Sequence, residues 1–384
     1  MRWRQYASLM LIVSALAGCT AFGDSDNTEP PMPLPALSND ETVKVEKVWS
    51  LGTGDGLDDQ YLHLEPVQWE DSLYVADADG LVTRVFLEKG TREWETETGA
   101  RITGGVGKGA GLIFVGTAQG EVYALDPDDG AIKWHKQLSS EILSSPQASG
   151  SIVVAHTGDG HLFGLDTQTG DIVWRYEGVS PALTLRGSSS PLTEQGHVLS
   201  GFANGRVAIL SLDDGRKLWE QVVALPRGRS ELQRLVDINA AVQEDNGILY
   251  AVSFQGKAAA FDILSGQTLW QRDMSSYRDF ALDLNTVYIT DANDVVWALD
   301  KQNGKPLWSE EQLQRRGLTA PAVWNHYIVV GDFEGYLHFI DKNSGKIVGR
   351  VRPFGDAIDA TPLVVDDYLY TISVDGKLIS YRLL

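Results

Sequence analysis

ALDPDDGAIKW, Ala124–Trp134, decides the fold because the same pattern keeps returning until the sequence ends. Its copies are GLDTQTGDIVW (Gly164–Trp174), ILSLDDGRKLW (Ile209–Trp219), AFDILSGQTLW (Ala260–Trp270), ALDKQNGKPLW (Ala298–Trp308) and FIDKNSGKIVG (Phe339–Gly349). A weaker copy, RVFLEKGTREW, ends at Trp94. The tryptophans at 94, 134, 174, 219, 270 and 308 stand 38 to 51 residues apart, the period of a four-stranded propeller blade.

Each copy follows a β-branched or aromatic run and a short turn, as in LYVADADG (Leu73–Gly80), IFVGTAQG (Ile113–Gly120), IVVAHTGDG (Ile152–Gly160) and IVVGDFEG (Ile328–Gly335). This reads as strand, turn, strand. Gly80, Gly120, Gly160, Gly205, Gly256, Gly335 and Gly376 are placed to close that hairpin at positive φ, with Asp294 substituting in the sixth repeat. In the following hairpin Asp126, Asp166, Asp262, Asp300 and Asp341 are placed to accept turn amides, and the glycine four residues before each Trp supplies the left-handed position. These carboxylates therefore read as turn formers rather than metal or catalytic groups. The Trp falls on the outermost strand, where its large ring is expected to pack on the next blade.

Seven such second hairpins are present, and an eighth unit, LYTISVDGKLISYRLL (Leu369–Leu384), stops before a Trp strand. VKVEKVW (Val43–Trp49) alternates, ends on Trp and has no upstream strands of its own. Pairing it with the last unit closes a ring of eight blades without a free edge. The fold expected is thus all-β, an eight-bladed β-propeller of four-stranded antiparallel blades, the last blade closed by the N-terminal strand. Seven blades is the alternative count. The propeller is expected over 43–384.

The start, MRWRQYASLMLIVSALAGC, has Arg2 and Arg4, an apolar run from Ala7 to Ala17 and then small residues. That is a secretory signal, too short for a membrane span. Leu16, Ala17, Gly18 and Cys19 resemble the lipobox of bacterial lipoproteins, which implies a signal peptide over 1–18 and lipidation of Cys19. Cys19 is the only cysteine of 384 residues, so neither an intramolecular disulfide nor a cysteine metal cluster can form. Thr20 stands where an inner-membrane lipoprotein usually carries Asp, and this resemblance points to the periplasmic face of the outer membrane. Residues 19–42 hold Pro30, Pro31, Pro33 and Pro35 and read as a tether reaching roughly 70 Å when extended.

The chain carries a net charge of −20, or −22 without the two leader arginines. Nucleic acid is excluded as a partner of so acidic a surface. Against this background two connections stand out. From Trp174 to Pro191 the gap is 17 residues and from Trp219 to Ala241 it is 22, which gives two long loops, VSPALTLRGSSSP (Val179–Pro191) and ALPRGRSELQRLVDIN (Ala224–Asn239). They are connections of the same kind in consecutive repeats and so project from one face. The gap from Trp49 to Pro66 is also 17, so composition adds the weight. Arg186, Arg227, Arg229 and Arg234 stand among Leu183, Leu185, Leu232 and Leu235, and arginine with apolar anchors is interface composition.

Catalytic and cofactor motifs fail on inspection. Gly105, Gly107 and Ala110 fit a loose dinucleotide pattern, but Leu112–Val115 continue as a strand where a helix is needed. His156 and His161 would at best straddle one hairpin, and Ser188–Ser190 lack the glycine spacing of a nucleophile elbow. No metal and no cofactor is expected.

The A-x-D-x-x-x-G-x-x-x-W repeat resembles that of the pyrroloquinoline-quinone propeller group. Eight such blades behind a lipobox resemble the BamB family, lipoproteins of the outer-membrane β-barrel assembly machine. The resemblance covers nearly the whole chain, and its most specific parts are LTLRG (Leu183–Gly187) and RLVDIN (Arg234–Asn239). It implies a non-enzymatic scaffold that docks on the periplasmic POTRA domains of BamA, with indirect contact to the other assembly lipoproteins and contact with unfolded outer-membrane proteins. It further implies that Leu183, Leu185, Arg186 and Asp237 are interface residues, with Asn239 standing where a second acid is expected. Two other classes remain open at this stage. A periplasmic sugar or peptidoglycan binder would use the central channel, whereas a quinoprotein enzyme would be expected to carry a cysteine pair that this chain lacks.

Overall fold

The computed structural model describes residues 29–37, 43–57, 62 and 64–384. The expected signal peptide, residues 1–18, and the expected lipidation site Cys19 lie outside the described residues. Eight four-stranded antiparallel sheets follow one another around a ring. Blades 1 to 7 cover residues 67–97, 102–137, 147–177, 192–222, 243–274, 280–310 and 322–351, each in simple up-and-down order from the inner to the outer strand. Blade 8 takes three strands from residues 363–383 and its outer strand, Val45–Gly52, from the other end of the sequence. Val45 pairs with Leu383 and Gly52 with Lys377. Closure by the N-terminal strand is as expected. Among the described residues no helix is long and apolar enough to cross a membrane.

The repeated Trp makes the seams. Its indole N–H donates to a turn carbonyl of the following blade in seven cases: Trp49 to Leu87, Trp94 to Pro127, Trp134 to Thr167, Trp174 to Leu212, Trp219 to Ile263, Trp270 to Lys301 and Trp308 to Lys342, all at 2.7–3.0 Å. In each outer ladder the register slips by one residue just before the Trp. Such a bulge turns the strand and aims the ring at its neighbour. The ring then lies on the turn glycine of the next blade. A Cβ on Gly170 would stand 2.6 Å from the Trp134 ring, and one on Gly304 2.5 Å from Trp270. These glycines also have φ of 73° and 67°, so backbone conformation and close packing demand the same residue.

Gly349, where the repeat loses its Trp, has a topological reason. The outer two strands of blade 8 come from opposite ends of the sequence, so no hairpin turn exists there to offer the carbonyl. Val43 covers the vacated place, 2.8 Å from where a Gly349 Cβ would stand. Trp324, from the inner strand of blade 7, bridges this seam instead, donating to Asp367 O at 3.2 Å.

The turn carboxylates act as expected: Asp126, Asp166, Asp262, Asp300 and Asp341 accept amides two or three residues on at 2.8–2.9 Å. One turn departs from expectation. In blade 5 the positive φ falls on Gln255, at 46°, and not on Gly256. Gly256 is needed for another reason, since its Cβ would stand 2.5 Å from that of Ala224.

Part of the expected tether is described, residues 29–37. Residues 31–37 belong to the same compact unit as the propeller and lie along it, where Met32 N donates to Gln314 O and the Arg316 and Arg350 guanidiniums donate to Met32 O and Pro35 O, each at 3.1 Å. A proline-rich chain makes few hydrogen bonds of its own, which leaves its carbonyls open to such donors.

Because strands alternate in direction, every blade-to-blade connection emerges on the same face as the turns between second and third strands. This connection face carries both long loops.

Candidate partner-docking face

The first long loop joins blades 3 and 4, and the second joins blades 4 and 5. One carboxylate ties them together. Asp237 Oδ1 accepts the backbone N–H of Leu185 at 2.9 Å. Asp237 is fully buried, and burial raises its carboxyl to about 6 even though the Leu185 N–H and its own backbone amide oppose the shift. A second contact lies beside it: a Cβ on Gly187 would stand 2.8 Å from the Asn239 amide. Asn239 therefore fills a place against the first loop's backbone.

The second loop leaves the blade at buried Ala224 and returns at buried Leu235, Val236 and Ile238. Its return is held by Ile238 N donating to Phe202 O at 3.3 Å and Phe254 N donating to Asp237 O at 2.8 Å. Residues 225–234 between these points are exposed. They are shaped by Gly228 at φ 118°, a single 3-10 turn at Leu232–Arg234, and the Gln233 side chain, which accepts the N–H of Arg229 at 2.9 Å. The first loop is fixed at its far end by buried Ser189, whose carbonyl accepts from His156 Nδ1 at 3.0 Å. Burial lowers that imidazole to about 4, so it is neutral and serves as a donor.

The expected site residues separate into two groups. Arg186, Arg227, Arg229 and Arg234 are exposed, as are Leu183 and Leu232. Arg186 lies 3.7 Å from Glu141 and Arg234 3.9 Å from Glu231, loose surface pairs of little energetic weight. Among the described residues no carboxylate pairs with Arg227 or Arg229. Leu185 is half-buried. Leu235 and Asp237 are both buried. Leu235 anchors the returning strand of the loop among apolar neighbours, and the Asp237 carboxylate holds the first loop. Leu225, 58% exposed, and Val179, 71% exposed, extend the apolar surface and escaped the sequence reading because they stand at the ends of the loops, next to strand residues of the same type.

The ring centre is a polar pocket whose lining includes Glu65, Ser145, Ser188, Asn239, Arg278 and Asp279. Arg278, before blade 6, reaches Asp359, before blade 8, at 3.1 Å. Asp279 is raised to about 7 by burial and by the charge of Glu65, although it accepts the N–H of Ala241 at 2.7 Å. No cluster of three or more potential metal ligands occurs among the described residues.

Comparison with known proteins gives a consistent answer. The family model "Outer membrane protein assembly factor BamB" matches residues 78–310. A Pseudomonas aeruginosa protein of that name is 48% identical over 383 residues, covering 100% of this chain and 99% of its own. The crystal structure of BamB from Moraxella catarrhalis superposes with a TM-score of 0.81 at 30% identity, over 88% of this chain and 100% of that one. Quinohemoprotein alcohol dehydrogenase from Comamonas testosteroni, at 13% identity and a TM-score of 0.70 over 88% of this chain and 76% of its own, shares the fold alone.

Proposed function

Since the chain belongs to the BamB family of outer membrane protein assembly factors, we propose that it is a non-enzymatic scaffold of the outer-membrane β-barrel assembly machine, docking through its two long loops on the periplasmic POTRA domains of BamA. Lipid at Cys19 holds it on the periplasmic face of the outer membrane. Through BamA it meets the other assembly lipoproteins and the unfolded outer-membrane proteins that the machine inserts.

The bond from Leu185 N to Asp237 carries this reading. It makes two connections, separate in sequence, into one surface of fixed shape. That surface displays four arginines with Leu183, Leu225 and Leu232 on a chain of net charge −20. A rigid, acidic partner with an apolar centre fits it. Arg186 and Leu232 are placed as anchors, and Arg227 and Arg229 steer the approach. Calorimetric titration of purified POTRA domains into wild type, Arg186→Ala and Leu232→Ala tests the assignment. Wild-type affinity in both variants would put the interface elsewhere on the ring.

A further inference from the structure

We propose that the groove between residues 311–318 and blade 7 is a receptor for the chain's own proline-rich segment, residues 31–37, and that the exit point toward the N-terminus is therefore Pro31 and not Val43. The groove is built from charges that hold one another. Arg316, 3% exposed in its side chain, donates through Nε to fully buried Asp332 at 2.9 Å and through Nη2 to Asp332 and Glu334. Asp332 also accepts His338 Nε2 at 2.9 Å, and His338 Nδ1 accepts Arg350 Nε at 3.2 Å. Burial lowers the His338 imidazole, and a neutral ring protonated on Nε2 satisfies both bonds. Phe333 lies 5.1 Å from the Arg316 guanidinium and Tyr336 5.8 Å from that of Arg350.

Two guanidiniums are thus immobilised, each with a donor left over. Those donors meet Met32 O and Pro35 O. The two carbonyls are three residues apart, which is one turn of a polyproline II helix, so both lie along one edge of such a helix. Residues 31–37, PMPLPAL, carry prolines at 31, 33 and 35, and these hold a chain in that extended form before it binds. Met32, Leu34, Pro35 and Leu37 are partly covered, whereas Pro31, Pro33 and Ala36 are exposed. The segment therefore has one side against the propeller. Without it, Arg316 Nη1 would lose its Met32 acceptor while nearly buried.

The docked segment shortens the reach of any N-terminal anchor. Eleven residues lie between Cys19 and Pro31, a span of at most about 40 Å in place of roughly 70 Å. That reach rests on anchoring at Cys19, but the docking does not. The groove lies at the junction of blades 6 and 7 on the connection face, so the attachment and the two long loops share a face.

Double electron–electron resonance on the full lipidated chain tests the docking, with spin labels at Ala36→Cys and Lys346→Cys, both exposed positions. The single native cysteine is Cys19, and lipid occupies it. A narrow distance distribution is expected. Changing Pro31, Pro33 and Pro35 to Gly, which leaves the propeller untouched, should widen it at least twofold, and Arg350→Gln should widen it too. Cys19→Ser should keep it narrow. A native distribution as broad as that of the glycine variant would overturn the proposal, as would narrowing that depends on Cys19.

Discussion

The Asp237 carboxylate accepts the N–H of Leu185 from a position 52 residues further along the chain, in a fully buried setting where its second oxygen has no partner. Its pKa is raised to about 6 from an ordinary 3.8. A carboxyl raised on folding contributes its stability below its unfolded pKa and loses it as pH climbs through the folded value. The contribution of Asp237 to stability should therefore fall between about pH 4 and pH 6 and level off above that, by about 3 kcal/mol at 1.36 kcal/mol per pKa unit. Asp237→Asn keeps the acceptor and removes the charge, so the difference in stability between the variant and wild type should grow over the same window. Denaturant melts of both proteins from pH 4 to 7.5 measure it, and parallel curves would mean that Asp237 is solvated.

Gly170→Ala should destabilise the ring by about 2–4 kcal/mol. The added carbon would stand 2.6 Å from the Trp134 ring at a φ of 73°, so overpacking and backbone strain both act. Trp134→Phe, which keeps an aromatic ring but loses the bond to Thr167 O, should cost about 1–3 kcal/mol. Thermal unfolding followed by circular dichroism ranks the two variants.

Removing residues 43–49 takes away most of the strand that closes blade 8, together with Trp49 and its bond to Leu87 O. Several kcal/mol of stability should go with it. Hydrogen exchange should then speed first in Lys377–Leu383, the strand left as an edge. An unchanged melting curve would mean that the ring closes in another way.

Arg186→Ala should weaken binding to POTRA domains about thirtyfold, from a loss of about 2 kcal/mol at an interface arginine. Arg227→Ala and Arg229→Ala should mainly flatten the dependence of association rate on salt. Circular dichroism of all three should match wild type, since these side chains are exposed. Asp237→Ala should also weaken binding, by releasing the first loop. In that variant Leu185 N–H should become fast-exchanging before any partner is added.

Cys19→Ser should move the protein from the membrane fraction to the soluble periplasm. Cell fractionation in a strain lacking the partner decides it, because a variant still bound to membrane there would remove the case for a lipid anchor.

The repeat was legible because each of its positions answers a local demand: a carboxylate for a turn, a glycine for φ and close packing, a Trp for the seam. The innermost strands left no such mark. Seven of the eight are three residues long, and the turn that follows puts Glu70, Ala110, Gln195, Asn246, Asn325 and Asp366 at φ of 48–56° with no single residue type to mark it. At the candidate site, composition located the two loops but not the direction of their side chains. Leu235 and Leu232 look alike in sequence, yet one is buried and the other 66% exposed. The receptor for residues 31–37 was invisible for a different reason. Arg316, Asp332, His338 and Arg350 are isolated charges in sequence, and they meet only once blade 7 is folded.

The pairing of Val45 with Leu383 also imposes an order in time. Synthesis yields the closing strand first and its partner more than three hundred residues later. Seven blades can form their own hairpins as they emerge, since every contact within them is short in sequence. The first strand cannot, and until the last one arrives it remains an unpaired edge beside an unfinished ring. Misfolding by strand exchange between two newly made copies is therefore most probable at blade 8, the one place where a second molecule can offer the same partner sooner.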